Sequence, residues 1–463
     1  MPDTPARARP ERPWRPVRAA FLFLFRRIVA IYFRDIEVAG EVPSRETGGR
    51  LFAANHVNAL VDPILVLTRA PCDISPIAKS TLWKIPGLRW LLETADAVPI
   101  VRRRDAPGKS AEDNEAVFER VASHLAIGGN ILIFPEGTSH NEPRLLALRS
   151  GAGRMLARAR GSASPGALTF QAVALEFDAR DVFRSRALVL FGPVRRVHDL
   201  ARADAAPDAI AAAITETLRR DLSELLVEGA TWDERLLVVR VAELFANESR
   251  ETSLERLNVL GRRIEDARRV LSATAPETVG ALEERLRAYF AKLAAEDVDD
   301  AHVARVAHGA RGDRGEGRVA RAAAMVLVLP LAVLAVLLYW VPYQLPRFVT
   351  RRLGDDPDVA STYKLGVGLV VYPLWAAALV AIALLRLPPG VGIAAAAVAL
   401  ACPFAALPWL DRWDRLAARL GALAPSEQRR ERIETLARER IALVRALERA
   451  RDDADASAEA ARA

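Results

Sequence analysis

Three long uncharged stretches constrain this chain more than any other feature of its sequence. Residues 322–343, 365–385 and 391–410 are almost wholly apolar and each about twenty residues long, the length that a helix needs to cross a hydrocarbon core of roughly 30 Å. A short turn at 386–390 joins the second stretch to the third. The pattern predicts a membrane region at 318–410 that includes a helical hairpin. It excludes a chain that is only a soluble globular domain.

Two groups of arginines limit how these stretches can cross a membrane. They are Arg347, Arg351 and Arg352 after the first stretch, and Arg412, Arg415 and Arg419 after the third. The positive-inside rule places both groups in the cytoplasm. Three full crossings cannot satisfy that rule together with a cytoplasmic N-terminal domain. We therefore predict two or three crossings, with the first stretch re-entrant or interfacial if there are two.

The charge balance and the cysteine count narrow the classes of partner. The chain has 65 Lys and Arg against 58 Asp and Glu, a net charge of +7. A basic chain with apolar spans fits an anionic lipid surface, and no zinc-finger spacing or RNA-binding aromatic motif indicates nucleic acid. Its two cysteines, Cys72 and Cys402, provide neither a disulfide framework nor a metal cluster, which is typical of a reducing compartment. The sequence indicates no metal and no cofactor.

Composition divides the chain into five parts. Arginine and proline dominate the first residues, β-like runs alternate with helical ones in the next part, and charge is dense on both sides of the membrane region. The predicted parts are a flexible N-terminus with an interfacial membrane helix (1–35), an α/β domain (36–230), a charged helical region with a linker (231–317), the membrane region (318–410) and a charged helical tail (411–463).

Two segments leave alternatives open. Residues 19–33 are apolar but contain Arg26 and Arg27, and they are too short to span a bilayer. They fit a helix lying in the membrane interface or a core helix whose arginines reach outward. The tail carries apolar residues at helical spacing between Ile433 and Leu447. It fits a partner-binding helix and intramolecular packing equally well.

Residues 36–230 alternate between two hydrophobic patterns. The β-like runs are 36–38, 51–53, 131–134, 169–177 and 187–191, and the helical ones include 114–126 and 145–159. Strands that alternate with helices predict an α/β domain with a mixed sheet flanked by helices.

The strongest chemical signal is the segment from Asn55 to Pro63, which directly follows the predicted strand at 50–54. His56 and Asp62 are suited to act as a base and the carboxylate that orients it. A six-residue offset places them roughly 240° apart on a helix of 3.6 residues per turn. A loop must therefore bring them together, with Asp62 at the start of the next helix. The alternative is that Asp62 only caps that helix and that His56 is an ordinary loop histidine.

Two further segments suggest anion binding. Residues 131–140 form an apolar strand that ends in the turn Pro135–Gly137, where exposed backbone N–H groups could hold an anion or a developing oxyanion. Residues 97–104 form a short β-like run that ends in three arginines, whose guanidinium groups suit phosphate. Each segment also fits a plain surface loop.

Taken together and in this order, these segments resemble the glycerolipid acyltransferase family, which includes glycerol-3-phosphate and 1-acylglycerol-3-phosphate acyltransferases. The resemblance covers residues 36–195. The His–Asp box of the family matches His56 and Asp62, its arginine block matches the run that ends at Arg102, and its Glu-Gly block matches 134–139. The spacing of the box is that of the Asn-His-x-Asn-x-x-x-Asp-Pro subgroup. The chain departs from the family at Ala97, where glycine is usual, and in its last block, which lacks its proline.

The resemblance implies a site and a reaction. His56 and Asp62 would be catalytic, and the residues implied in substrate binding are Arg102, Arg103, Glu136, Gly137, Thr138 and Arg149. His56 would deprotonate a hydroxyl of the acceptor, which attacks the thioester of acyl-CoA or acyl carrier protein. Glu136 is expected to orient an arginine or the acceptor hydroxyl, and the Gly137 amide to supply a hydrogen-bond donor. The absence of a Gly-x-Ser-x-Gly elbow disfavours a serine acyl-enzyme.

The resemblance further implies a membrane-bound enzyme of phospholipid synthesis in the inner membrane, with its catalytic domain in the cytoplasm. Its partners would be the acyl donor, a glycerol phosphate or lysophospholipid acceptor, and membrane lipids. Two alternatives stay open: an acyltransferase for a non-phosphate lipid such as an aminolipid, and an inactive membrane scaffold. The sequence does not determine the oligomeric state.

Overall fold

The chain divides into two units, Met1–Glu228 and Gly229–Ala463. The computed structural model describes residues 15–85, 87–101, 111–164, 166–200, 204–308, 318–353, 357–420 and 427–460. The predicted linker at 309–317 lies outside the described residues, as do residues 1–14.

A seven-stranded mixed sheet is the centre of the first unit, with the strand order β1-β7-β6-β2-β5-β3-β4. Neighbouring strands are parallel except for the antiparallel pair β6 and β7. The strands are β1 (Asp35–Gly40), β2 (Arg50–Ala54), β3 (Ser75–Lys79), β4 (Val98–Ile100), β5 (Ile131–Ile133), β6 (Thr169–Phe177) and β7 (Arg186–Arg196). The predicted mixed sheet is confirmed. β3 was not predicted, because Ser75 and Pro76 at its start interrupt any apolar alternation.

Helices cover the sheet. The helices of this unit are α1 (Arg15–Tyr32), α2 (Val61–Arg69), α3 (Leu88–Thr94), α4 (Ala111–Ala126), α5 (Gly151–Arg160) and α6 (Pro207–Leu225). A buried apolar core joins β2, β5 and β6 to α4, α5 and α6, with Leu51, Ile131 and Phe170 fully buried in it. The helix α1 packs on α2, which also contacts β7. Parallel strands covered by helices have both faces buried, which explains the continuous apolar runs of β2 and β5.

The N-terminal helix α1 combines features of both interpretations of its sequence. Phe25 and Val29 are buried against the protein, whereas Phe23 and Leu24 are exposed. Arg26 is exposed, and its guanidinium donates to the Thr68 carbonyl near the end of α2 (2.8 Å). One face of α1 is therefore a core face, and the rest of the helix exposes Phe23 and Leu24 together with Arg26 and Arg27.

The second unit is helical throughout its described residues. It consists of α7 (Trp232–Ser249), α8 (Leu254–Thr274), α9 (Pro276–Ala295), α10 (Asp300–Ala307), α11 (Arg318–Leu353), α12 (Pro357–Arg386), α13 (Pro389–Leu420) and α14 (Glu427–Ala460). Among the described residues, three stretches are long and apolar enough to cross a membrane, namely Met325–Arg352, Val359–Arg386 and Pro389–Asp411. These lie in α11, α12 and α13, as the apolar pattern predicted. The predicted mostly helical C-terminal half is confirmed.

Candidate active site

The loop after β2 brings His56 and Asp62 together. His56 Nδ1 lies 2.9 Å from Asp62 Oδ2. Asp62 is fully buried, and the His56 side chain is 13% exposed. The same Asp62 oxygen accepts hydrogen bonds from the backbone N–H groups of Val57 (2.8 Å) and Asn58 (2.7 Å). The carboxylate therefore folds the loop back on itself and fixes the histidine at the carboxyl end of β2.

These contacts assign Asp62 a role other than helix capping. The residue that precedes α2 is Leu60, and no side chain caps the helix there. Asp62 is the second residue of α2, and its carboxylate accepts from the loop before the helix. The capping alternative is therefore wrong, although Asp62 does lie at the start of the helix as expected.

Hydrogen bonding to Asp62 fixes the tautomer of His56. A carboxylate only accepts, so the proton of the neutral imidazole is on Nδ1 and Nε2 keeps its lone pair. No described residue hydrogen-bonds to Nε2. The ring stacks on Phe134, with 4.1 Å between ring centroids and 21° between planes. The imidazole is thus held in its plane with the basic nitrogen available to a substrate hydroxyl.

Glu136 connects the loop that carries His56 to the segment that follows the Glu-Gly turn. Its carboxylate is buried, and Oε1 accepts from the backbone N–H of His56 (2.7 Å). Oε2 accepts from the Leu146 N–H (2.9 Å) and from His140 Nε2. His140 Nδ1 accepts from the Glu142 N–H (3.1 Å), so Nε2 carries the proton that it donates to Glu136. No described arginine contacts this carboxylate, which backbone and histidine donors surround.

The Glu-Gly turn also holds Arg149. The Arg149 N–H donates to the Pro135 carbonyl (2.8 Å), and its Nε donates to the Glu136 carbonyl (3.4 Å). The predicted helix at 145–159 begins only at Gly151, because the Leu146 and Arg149 N–H groups bond to this turn instead. Arg149 itself is exposed at the edge of the site.

Gly137 is required for its conformation. Its φ of +78° is in the left-handed region, and a Cβ there would lie 2.5 Å from Arg149 Nε. Its N–H donates to the Phe134 carbonyl within the turn (3.0 Å). The tight turn thus uses this amide in the present conformation, and the expectation that it also donates to the substrate stays a prediction. Thr138 Oγ1 donates to the neighbouring Ser139 carbonyl (3.2 Å).

Two contributors were not singled out as site residues from the sequence. His140 positions Glu136, and Arg180, just after β6, donates to the Val57 carbonyl (3.0 Å) while its own carbonyl accepts from Asn58 Nδ2 (3.2 Å). The local signal for His140 was its position directly after the Glu-Gly block at 134–139. Arg180 had no local signal, because its role depends on β6 lying beside β2.

The predicted arginine block is only partly described. β4 ends at Ile100, on the same sheet edge as the ends of β2 and β5, since the strands between them are parallel. Arg102 and Arg103 lie outside the described residues. Within the described ranges, no group of three or more His, Cys, Asp or Glu could hold a metal ion.

Fold and site together define an α/β domain that presents a histidine paired with a buried aspartate at the carboxyl edge of its sheet. Residues 35–173 match the family model described as acyltransferase. The resemblance seen in the sequence is confirmed for this segment, which is similar to acyltransferases.

Relatives with known names match the same part of the chain. A lyso-ornithine lipid O-acyltransferase of Pseudomonas aeruginosa is 32% identical over 38% of this chain and 56% of its own length. Glycerol-3-phosphate O-acyltransferase 2 of Saccharomyces cerevisiae is 35% identical over 17% of this chain and 11% of its own. This chain thus spans about half of the first relative and a small part of the second.

A solved structure, the 1-acyl-sn-glycerophosphate acyltransferase of Thermotoga maritima, aligns over 47% of this chain and 84% of its own. The identity is 16% and the TM-score 0.33, a likeness too weak to carry an argument.

Proposed function

We propose that this protein is a membrane-bound O-acyltransferase. It transfers a fatty acyl group from acyl-CoA or acyl carrier protein to the hydroxyl of glycerol 3-phosphate or 1-acylglycerol 3-phosphate. The observation that carries the proposal is the His56–Asp62 pair, whose Nε2 has no hydrogen-bond partner among the described residues. The family match over residues 35–173 supports acyl transfer as the reaction.

The geometry supports direct transfer without an acyl-enzyme. His56 Nε2 accepts the proton of the acceptor hydroxyl while the hydroxyl oxygen attacks the thioester carbonyl. The thiolate then leaves and takes up the proton from the imidazolium. Asp62 stabilises that imidazolium through Nδ1–H and keeps the ring oriented. General-base assistance of this kind contributes on the order of 10²–10⁴ to the rate.

The remaining residues are proposed to serve this pair or the acceptor. Glu136 positions the His56 backbone through the 2.7 Å hydrogen bond. Arg149, exposed beside the Glu-Gly turn, together with Arg102 and Arg103, provides cations for an acceptor phosphate. Gly137 and Thr138 shape the turn that carries Arg149. The apolar helices support attachment to the inner membrane, with the catalytic domain in the cytoplasm as the positive-inside rule favours.

A second acceptor class has a specific observation in its favour. The relative that aligns over 38% of this chain is named for a lyso-ornithine lipid, an aminolipid rather than a glycerol phosphate. The catalytic pair serves either acceptor, because the general base needs only a hydroxyl. Which acceptor is used depends on whether Arg102, Arg103 and Arg149 bind an acceptor phosphate.

Replacement of the base tests the proposed reaction. In His56→Ala, acyl transfer from radiolabelled acyl-CoA or acyl carrier protein should fall by about 10²–10⁴, with the thermal unfolding of the purified full-length protein unchanged. The matched control is His124→Ala, a histidine on α4 of the same unit, which should keep wild-type turnover. Wild-type turnover in His56→Ala would overturn the base assignment.

An acceptor panel separates the two substrate classes. Wild-type protein is incubated with labelled donor and, in parallel, glycerol 3-phosphate, 1-acylglycerol 3-phosphate and lyso-ornithine lipid, and the lipid products are resolved by chromatography. We expect product from a phosphate acceptor, with a raised acceptor KM in Arg102→Ala. Product from lyso-ornithine lipid alone would establish the aminolipid as the acceptor. No product with any acceptor and donor would favour the scaffold.

A further inference from the structure

A buried arginine joins the C-terminal tail to helices that precede the membrane region. Arg440, on α14, is fully buried. Its Nε donates to Asp300 Oδ1 (2.9 Å), its Nη2 donates to the Leu244 carbonyl (2.9 Å), and its Nη1 pairs with Glu248. Burial opposes the charge, but the bonds to Asp300 and Glu248 outweigh it and raise the pKa of Arg440. All three guanidinium nitrogens therefore have acceptors from α7 or α10.

Asp300 also accepts hydrogen bonds from side chains of α9 and α7. Oδ1 also accepts from the Tyr289 hydroxyl of α9 (2.7 Å), and Oδ2 accepts from Asn247 Nδ2 of α7 (2.8 Å). Burial and the neighbouring Asp300 charge raise the pKa of Tyr289, which therefore remains a neutral donor. Four helices, α7, α9, α10 and α14, thus share one closed polar network.

Apolar packing surrounds this network. Leu436 and Leu443 of α14 are buried in one cluster with residues of α7, α9 and α10, such as Leu244 and Val303. At the periphery, Lys292 pairs with Glu439 (2.8 Å). The tail is therefore an integral helix of this bundle, which decides between the two interpretations left open by its sequence in favour of intramolecular packing.

Chain order turns this packing into a constraint on the membrane region. The helices α11, α12 and α13 lie between α10 and α14 in sequence, and each contains a stretch that could cross a bilayer. If all three crossed, a hydrocarbon layer of roughly 30 Å would separate α14 from α10. Arg440 could then not reach Asp300, and breaking a buried ion pair of this kind is strongly destabilising.

A contact within the membrane region leads independently to the same result. Trp409, near the end of the third apolar stretch, donates through Nε1 to the carbonyl of Met325 at the beginning of the first (3.0 Å). Further along the same two helices, the Tyr339 hydroxyl donates to the Ala399 carbonyl (3.0 Å). The two ends of the apolar region therefore lie together.

We propose that the apolar region Met325–Asp411 begins and ends at the same face of the membrane and makes two full crossings rather than three. The bundle of α7, α9, α10 and α14 then assembles on that face. This inference concerns topology alone and does not depend on the proposed acyl transfer.

Cysteine accessibility in the full-length protein tests the topology. Arg263→Cys on α8 and Ala442→Cys on α14 place single thiols at exposed positions. Sealed vesicles of both orientations are treated with a membrane-impermeant maleimide. We expect both variants to be labelled in one and the same orientation, with loss of labelling in the other. Labelling in opposite orientations would overturn the proposal.

The native cysteines need no replacement. Cys72 is buried, and burial raises the pKa of its thiol to about 11, so little reactive thiolate forms at neutral pH. Cys402 is fully buried among the apolar helices. The wild-type protein should therefore remain unlabelled and serves as the negative control.

Two more thiols test for the crossings themselves, Arg351→Cys at the end of α11 and Leu387→Cys in the turn before α13, both exposed. At least one should be labelled only from the far face, and labelling of both from the face of Arg263→Cys would overturn the two crossings.

A C-terminal tag on the wild-type chain provides a test without substitutions. Added protease should remove the tag in the orientation that labels Arg263→Cys, and removal only in the opposite orientation would contradict the proposal.

Discussion

Two buried charged centres, one in each unit, show how differently a fold can use ionisable groups. At the candidate active site, Asp62 binds one nitrogen of His56, and the other imidazole nitrogen has no partner among the described residues. In the helical unit, every nitrogen of Arg440 has an acceptor, and both oxygens of Asp300 have donors. The first centre therefore leaves one ring nitrogen open, as the proposed base requires, whereas the second is closed.

The difference indicates which centre can react. A base needs a lone pair that a substrate proton can reach, and a partly exposed imidazole provides one. A buried guanidinium whose nitrogens all have acceptors cannot bind a substrate. Its hydrogen bonds instead fix the relative positions of four helices. We therefore expect variants at the first centre to change turnover and variants at the second to change stability.

The largest effect is expected for Asp62→Asn. The amide can still accept the Val57 and Asn58 N–H bonds, so the loop should keep its shape. The same oxygen also faces His56 Nδ1 and can go on accepting its proton, but a neutral amide no longer stabilises the imidazolium that forms when His56 takes up the hydroxyl proton. Acyl transfer should fall on the order of 10²–10⁴ with thermal unfolding unchanged. Asp208→Asn, at an exposed position of α6, is the control. A destabilised protein would show that the loop needs the charge of Asp62, and wild-type turnover would contradict the proposed role of Asp62 in the reaction.

The second-largest effect is expected at the closed centre of the helical unit. Arg440→Ala leaves the buried Asp300 without its cation, so the free energy of unfolding of the helical unit should fall by about 3–5 kcal/mol. Thermal denaturation in detergent, with Arg445→Ala as an exposed control on the same helix, measures it. An unchanged unfolding transition would contradict the structural role of this centre.

Glu136→Gln tests a residue whose replacement should change both turnover and stability, because it holds the His56 backbone in place. Glutamine offers one acceptor oxygen in place of two, so at least one of the His56, Leu146 and His140 donors loses its acceptor, at a cost of about 1–3 kcal/mol. We expect kcat to fall by roughly tenfold to a hundredfold with the acceptor KM unchanged. Glu142→Gln, exposed on the same loop, is the control. A raised acceptor KM at normal kcat would instead assign Glu136 to acceptor binding.

The smallest effect is expected for Gly137→Ala. Alanine in the left-handed region costs roughly 1–2 kcal/mol, and the new Cβ displaces the Arg149 side chain. Gly166→Ala is a matched control, because Gly166 has a φ of +81° and no atom lies within 4 Å of the point where its Cβ would stand. Both variants should lose similar stability, but only Gly137→Ala should raise the acceptor KM. Equal KM values would remove Arg149 from the acceptor site.

Much of the site could be predicted from local sequence. The separation of His56 from Asp62 required a loop, and an apolar strand before each motif placed both at a sheet end. The length and apolarity of three stretches predicted α11, α12 and α13, because spanning length is a local property. These predictions depend on residues that are neighbours along the chain.

Contacts between distant residues could not be predicted in this way. The carboxylate of Glu136 holds the His56 backbone 80 residues away, and Arg440 binds Asp300 140 residues away. Arg180 reaches the active-site loop only because β6 lies beside β2. Sequence alone thus determined which groups are candidates for the chemistry and which segments are apolar, since spacing and composition set both. Only the tertiary structure decided which donors each carboxylate meets and where the tail packs, because those contacts form only when distant segments are brought together by folding.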